Sequence, residues 1–262
     1  MRLLFLGDVV GRPGRRALGI LLPRLVAREA VDFVVANGEN ASGGKGIDPE
    51  GAEELLDAGV DVLTSGNHIW QHAAILDYLR ETRRLLRPLN LAPGVPGTGA
   101  VVHATKRPGP RVGVLNLIGR VFMGPAECPF HAAEQAVAEL RRETPVILVD
   151  MHGEATSEKV AMGRFLDGKV SVVIGSHTHI QTADEAVLPG GTAYLTDAGM
   201  CGPEDSVLGV RTDRVVERFL TQMPVRFEVA GGPVLVQGAV IEVDETSGRA
   251  LGVRRLRERV AV

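Results

Sequence analysis

Apolar positions in this chain come in short unbroken blocks. Leu3–Leu6, Val31–Ala36, Val60–Thr64, Val112–Leu117, Val146–Val149 and Val170–Ile174 are short, predominantly apolar runs, most of them rich in β-branched residues. Continuity, rather than alternation, suits strands covered on both faces by helices. Between them the spacing predicts helices at about Arg15–Arg28, Pro49–Ala58, Ile69–Arg80, Phe130–Arg142 and Ser157–Leu166. Asp48-Pro49 is a helix start, an N-cap acceptor followed by proline in the first turn, and Gly59 is the matching stop. Pro23 is expected to kink the first helix.

The tail has another texture. Val225–Val229, Val234–Val243 and Ala250–Leu256 read as antiparallel strands, with Glu245-Thr246-Ser247-Gly248 as a turn. Pro93–Gly99 is a loop, and no repeat or low-complexity tract breaks the chain. Residues 1–262 are therefore expected to form one α/β domain, with a β-rich C-terminal portion in the same sheet system.

Composition narrows the class. With 45% hydrophobic and 23% charged residues the chain has material for a core and is not a disordered segment. Twenty-nine Lys+Arg against 32 Asp+Glu leave a net charge of −3, so no global positive field holds a long nucleic acid. A nucleotide substrate would be small or held locally. The two cysteines, Cys128 and Cys201, build neither a disulfide framework nor a zinc knuckle. The apolar run before Asp8 is too short for a signal peptide, and nothing approaches the roughly 20 apolar residues of a membrane span. The expectation is a cytoplasmic protein without a membrane partner, its oligomeric state left open.

The polar residues that matter follow the predicted strands. Gly7-Asp8, Asn37-Gly38-Glu39-Asn40, Gly66-Asn67-His68, Asp150-Met151-His152 and Gly175-Ser176-His177-Thr178-His179 each close one. Ligands of open α/β sheets bind outside the carboxyl ends of the strands. Taken singly, Asp8 is a cap, Asn67 a turn residue, His152 a rim histidine and His177/His179 a chance pair. Together, five strand ends deliver Asp, Glu, Asn and four of the seven histidines to one rim. Oxygen and imidazole donors without cysteine favour Fe, Mn or Zn. A carboxylate able to bridge, Glu39, and a set too large for one tetrahedral ion suggest two metals. Two ions about 3.5–4 Å apart clamp a phosphoryl oxygen and hold a hydroxide, and a remaining histidine protonates a leaving oxygen.

Gly7-Asp8, Gly66-Asn67-His68, His152 and Gly175-Ser176-His177-Thr178-His179 resemble the ordered motifs of the calcineurin-like metallophosphoesterases, over roughly Leu3 to Met200. Narrower matches resemble the YmdB-like phosphodiesterases. These are Gly7-Asp8-Val9-Val10-Gly11, Asn37-Gly38-Glu39-Asn40-Ala41, Gly43-Gly44-Lys45-Gly46, Glu154–Lys159 and Thr196–Met200. The resemblance implies the calcineurin-like metallophosphoesterase sandwich, mixed β-sheets flanked by helices. It implies Asp8, Glu39, Asn40 and His179 around one metal, and Glu39, Asn67, His152 and His177 around the other. His68 follows a ligand directly and is the implied general acid. The implied reaction is hydrolysis of 2′,3′-cyclic nucleotides by a hydroxide shared between the metals.

Two departures from the wider superfamily stand out. Val10 occupies the place of the histidine in the usual D-x-H motif, and Glu39 that of a bridging aspartate. Asn40 is read as the replacement ligand. Its amide oxygen hardens that site, which points to iron first, with manganese or zinc as alternatives. A phosphomonoesterase or protein phosphatase on the same core is the alternative enzyme. A regulatory, RNA-associated protein with a vestigial site is the alternative from another class, although each missing ligand here has a substitute. Gly43-Gly44-Lys45-Gly46 lacks the P-loop spacing. Lys45 and Arg12 are candidates for a substrate phosphate, against the plainer reading of solvated loop cations. Trp70, His72, His103 and His131 are read as packing or surface residues.

Overall fold

The computed structural model describes residues 1–262. The chain opens with β1 (Arg2–Leu6), β2 (Asp8–Val9), α1 (Gly11–Glu29), β3 (Phe33–Asn37), α2 (Pro49–Asp57), β4 (Val62–Thr64) and α3 (Ile75–Glu81). The middle runs β5 (Ala100–Ala104), β6 (Arg111–Ile118), α4 (Pro129–Leu140), β7 (Ile147–His152), α5 (Thr156–Phe165) and β8 (Val172–Ser176). It closes with β9 (Ala186–Val187), β10 (Ala193–Leu195), β11 (Met200–Pro203), α6 (Thr212–Thr221), β12 (Val234–Val243) and β13 (Ala250–Val260).

Two mixed sheets result. One has the order β2-β11-β12-β1-β3-β4 with β13 beside β12, and the other β5-β6-β7-β8-β10-β9. β1, β3 and β4 are parallel, as are β6, β7, β8 and β10. The C-terminal hairpin joins the first sheet by running β12 antiparallel to β1. The fold is the expected α/β sandwich.

Burial explains why the strands are apolar throughout. Leu3, Phe5, Phe33 and Val35 meet Val114, Leu148, Val172 and Ile174 between the sheets. Their neighbours Leu4, Leu6, Val34 and Ala36 face the other way, onto Leu18, Leu22 and Leu55 of α1 and α2. Residues Leu115, Leu117, Val149 and Met151 pack under α4 and α5. Each fully buried side chain of this kind contributes about 1.5–3 kcal/mol.

Several elements differ from expectation. α1 starts at Gly11 and continues through Pro23 to Glu29. The helix expected from Ile69 begins only at Ile75, because residues 69–74 form turns that bond back to His68 and His72. Val225–Val229 is not a strand. It keeps one isolated bridge, Val210 to Val229, and belongs to residues 204–233, a flap that leaves the sheets and carries α6. The start of α2 is as expected, with Asp48 Oδ1 accepting from the Gly51 N–H at 2.8 Å. No helix is long and apolar enough to cross a membrane.

The carboxyl ends of strands from both sheets meet at one rim. Asp150 of β7 accepts hydrogen bonds from Asn37 of β3 and Thr64 of β4 across the sandwich, at 3.1 and 2.5 Å.

Candidate metal centre

Three strand ends converge on one ring nitrogen. His152 Nε2 lies 3.1 Å from Asn67 Oδ1, 3.0 Å from His177 Nδ1 and 3.3 Å from Glu39 Oε1. Ligand atoms of Glu39, His152 and His177 all lie within 4.8 Å of one another. The outer nitrogens fix which atoms face inward. Ser176 Oγ donates to Asp150 Oδ1 at 2.7 Å, so it accepts from His152 Nδ1–H at 2.9 Å. His177 Nε2–H points to Glu154 Oε2 at 3.1 Å, which turns its Nδ1 inward. Carboxylates and hydroxyls behind histidines in this way are the usual orienting partners of metal ligands.

The electrostatics call for a cation there. Burial disfavours charge on His152, but the carboxylates of Glu39, Asp8 and Asp150 outweigh it and raise its pKa to about 9. His177 is pushed down to about 3 by burial and by the charge of His152. Burial opposes ionisation of Glu39, yet His152 and His68 hold its carboxyl well below the usual range. These inward-facing donors draw one positive charge to a point that a metal ion fits.

A second set adjoins it through Glu39. Asp8 is fully buried, and its Oδ2 accepts from the His177 N–H at 3.0 Å. Its Oδ1 has no hydrogen-bond partner and lies 3.8 Å from His179 Nε2. Burial raises the Asp8 carboxyl to about 6 against the pull of His179 and His152. Buried polar atoms are nearly always paired, so this orphaned oxygen fits a cation. His179 Nδ1–H donates to Leu208 O at 3.0 Å, leaving Nε2 inward. Asn40 Nδ2 stands 3.1 Å from that nitrogen and 3.2 Å from Glu39 Oε1, while Asn40 Oδ1 accepts from His68 Nδ1–H at 2.8 Å.

A cavity of about 550 Å³ opens onto these donors and is lined by Glu39, Asn40, Lys45, His68, His177 and His179, among others. Lys45 is among these lining residues. Arg12 lines an adjoining recess of about 360 Å³ with Arg15 and His72. A larger cavity, about 1220 Å³ between α4 and β5, holds none of the cluster. Val10, at the place of the missing histidine, packs against Gly202 and Gly209.

The family model for YmdB-like proteins matches residues 4–256. The chain belongs to the YmdB-like family. It is 43% identical over 256 residues to the 2′,3′-cyclic-nucleotide 2′-phosphodiesterase of Bacillus subtilis, covering 98% of this chain and 96% of that one. It superposes on the crystal structure of a novel phosphatase from Mycoplasma pneumoniae with TM-score 0.92 and 32% identity, covering 100% of this chain and 94% of that one. The calcineurin-like phosphoesterase YfkN from Bacillus subtilis is similar at TM-score 0.58 and 12% identity, covering 98% and 90% of the two chains, and shares the fold alone. Its relatives are named as phosphatases and phosphodiesterases, and this YmdB-like chain is an enzyme whose Glu39, His152 and His177 form a group able to hold a metal ion.

The structure adds residues that sequence reasoning left without a role. His177 and His179 adopt φ of 102° and 63°, left-handed conformations that cost about 1–3 kcal/mol each outside glycine. Asp197 holds them by accepting from Thr178 N–H and Oγ1–H, at 3.1 and 2.7 Å. Lys159 Nζ donates to the same carboxylate at 2.8 Å, and both residues are buried. The available signal was a lysine at an inward position of α5. Gly66 is required by space, since a Cβ there would stand 2.2 Å from the His152 ring and 2.4 Å from Glu39 Oε2.

Proposed function

We propose that this chain hydrolyses 2′,3′-cyclic nucleotides at a binuclear metal centre. The observation that carries the reading is the pair of donor sets sharing Glu39, one of them with the orphaned Asp8 Oδ1. Support for the substrate comes from the 43% identical relative named for that reaction.

Asp8, Glu39, Asn40 and His179 would hold one ion, and Glu39, Asn67, His152 and His177 the other. Bound there, two ions supply Lewis acidity that activates water and neutralises the phosphoryl oxygens. Ligation by Asn40 needs its amide turned over, which exchanges two groups of nearly equal size. The donor set, all oxygen and imidazole, suits iron, with manganese or zinc as alternatives.

The chain's own residues do the rest. His68 lines the cavity, and with the Asn40 amide turned over the amide Nδ2–H faces His68 Nδ1, which then accepts, so Nε2 carries the proton to the departing ribose oxygen. Ser176, Asp150 and Glu154 keep His152 and His177 in the tautomers that turn a lone pair inward. Lys45 offers its charge to a phosphate oxygen from the rim. The free cysteines Cys128 and Cys201 fit a reducing cytoplasm.

The test is a side-by-side assay of 2′,3′-cyclic AMP, a phosphomonoester and a phosphopeptide, with elemental analysis of protein purified without added metal. Preference for the cyclic diester with close to two metals per chain is expected. Preference for either monoester would favour the phosphatase reading, and one metal in fully active protein would end the binuclear one.

A further inference from the structure

Not all of the cavity is made of donor atoms. Leu208, Val210, Phe227 and Val229 also line it, and all four come from the flap. Phe227 is 51% and Leu208 43% exposed, apolar surface left open beside a polar cluster. Scattered exposed apolar residues need no explanation, but a contiguous set inside a functional cavity marks a ligand surface.

The flap is held in register with the donors. Its arms bond to each other through Ala230 N–H to Gly209 O at 2.9 Å and Arg211 N–H to Glu228 O at 3.0 Å. Glu228, next to Phe227, is tied to Arg211 at 3.0 Å. The Leu208 carbonyl accepts from His179 Nδ1–H, so the apolar wall sits at a set distance from the candidate ligands. Phe227 supplies the only benzenoid ring in the lining.

We infer that Phe227, backed by Leu208 and Val210, is the platform on which the nucleobase of the substrate stacks. The inference rests on the cyclic-nucleotide reading above. The donor atoms and Lys45 account for a phosphate and leave a flat, apolar-faced group to be met. A cavity of about 550 Å³ holds a nucleotide. Aromatic stacking accepts any base, because every base has a π-face. The wall therefore favours purines over pyrimidines by area and does not read base edges.

The experiment compares adenosine 2′,3′-cyclic phosphate with the 2,3-cyclic phosphate of 1-O-methylribose, which lacks the base. Phe227→Ala is expected to lower the preference for the nucleotide, as a ratio of kcat/KM values, by about 5- to 100-fold. Phe227→Trp should preserve that preference. A preference unchanged in Phe227→Ala, or both substrates slowed equally, would overturn the platform and leave Phe227 a flap residue. Calorimetric binding of adenosine 3′-phosphate against ribose 3-phosphate gives a readout independent of turnover. If wild-type protein cleaves neither cyclic diester, the proposed reaction fails. A selective loss of adenosine 3′-phosphate binding in Phe227→Ala would still uphold the platform, and equal binding would end it.

Discussion

Asp8 Oδ1 lies 3.8 Å from His179 Nε2 and accepts no hydrogen bond, although Asp8 is wholly inside the protein. An unpaired buried carboxylate oxygen costs several kcal/mol unless a cation meets it. Asp8→Asn is therefore expected to remove close to one metal equivalent and leave the ion among Asn67, His152 and His177. Activity should fall with it, since the proposed reaction draws on two ions. Elemental analysis of the variant, purified beside wild type, decides it. Unchanged metal content would mean that Asp8 is structural.

His68 and Asn40 should separate by the same two measurements. His68 Nδ1 bonds Asn40 Oδ1 at 2.8 Å, so removing either disturbs the proton path, but only Asn40 stands beside His179. His68→Ala is expected to keep both metals and lose about 10²–10⁴-fold in rate on a ribose leaving group. A nitrophenyl diester, which needs little protonation, should suffer far less. Asn40→Ala should lose a metal as well as rate on both substrates. Equal slowing of both diesters by His68→Ala would reassign that histidine.

Much of the site was legible because its residues stand where unbroken apolar runs stop. Glu39 and His152 each follow such a run, and parallel strands carry their ends to one rim. What could not be read depends on pairings distant in sequence. Lys159 and Asp197, 38 positions apart, look like a surface lysine and a turn aspartate until α5 packs on β8. Arg12 and Lys45 are alike as loop-flanking cations, and only the packing around Gly43 and Val229 puts one inside the cavity and the other in the recess. Val225–Val229 has the composition of a strand, but a strand needs a neighbour and this segment has a single bridge. β9, β10 and β11 hold two to four residues each, too few for a period to show.

The Lys159–Asp197 pair predicts a stability effect distinct from catalysis. Lys159→Met would strand the Asp197 carboxylate in a place with 0% exposure, and breaking a buried pair from one side costs about 3–5 kcal/mol. Urea unfolding should show that loss. Adding Asp197→Asn should recover part of it, because a neutral amide is cheaper to bury and still bonds Thr178. If the single and double variants unfold at the same denaturant concentration, the charge on Asp197 is not what destabilises the first.

The start of α2 gives a prediction in pH. Burial opposes ionisation of Asp48, and hydrogen bonds from the Gly51 N–H and Ser42 outweigh it, so its pKa in the folded protein is lowered from 3.8. A carboxyl with a depressed folded value stabilises the fold above the unfolded value. That contribution fades as pH falls through the folded one, where both states are protonated. Asp48→Ala removes the cap acceptor and should cost about 1 kcal/mol near neutrality. Asp48 is half-buried at the surface, so that magnitude is taken from the cap and not from the shift. The gap between wild type and Asp48→Ala should narrow once the pH drops below 3.8. Asp48→Asn keeps an acceptor for Gly51 and should sit close to wild type with a flatter pH response. Differences taken between proteins at each pH cancel the effects of acid common to all of them. A gap that stays constant from neutrality to pH 3 would show that the carboxylate charge plays no part in holding α2.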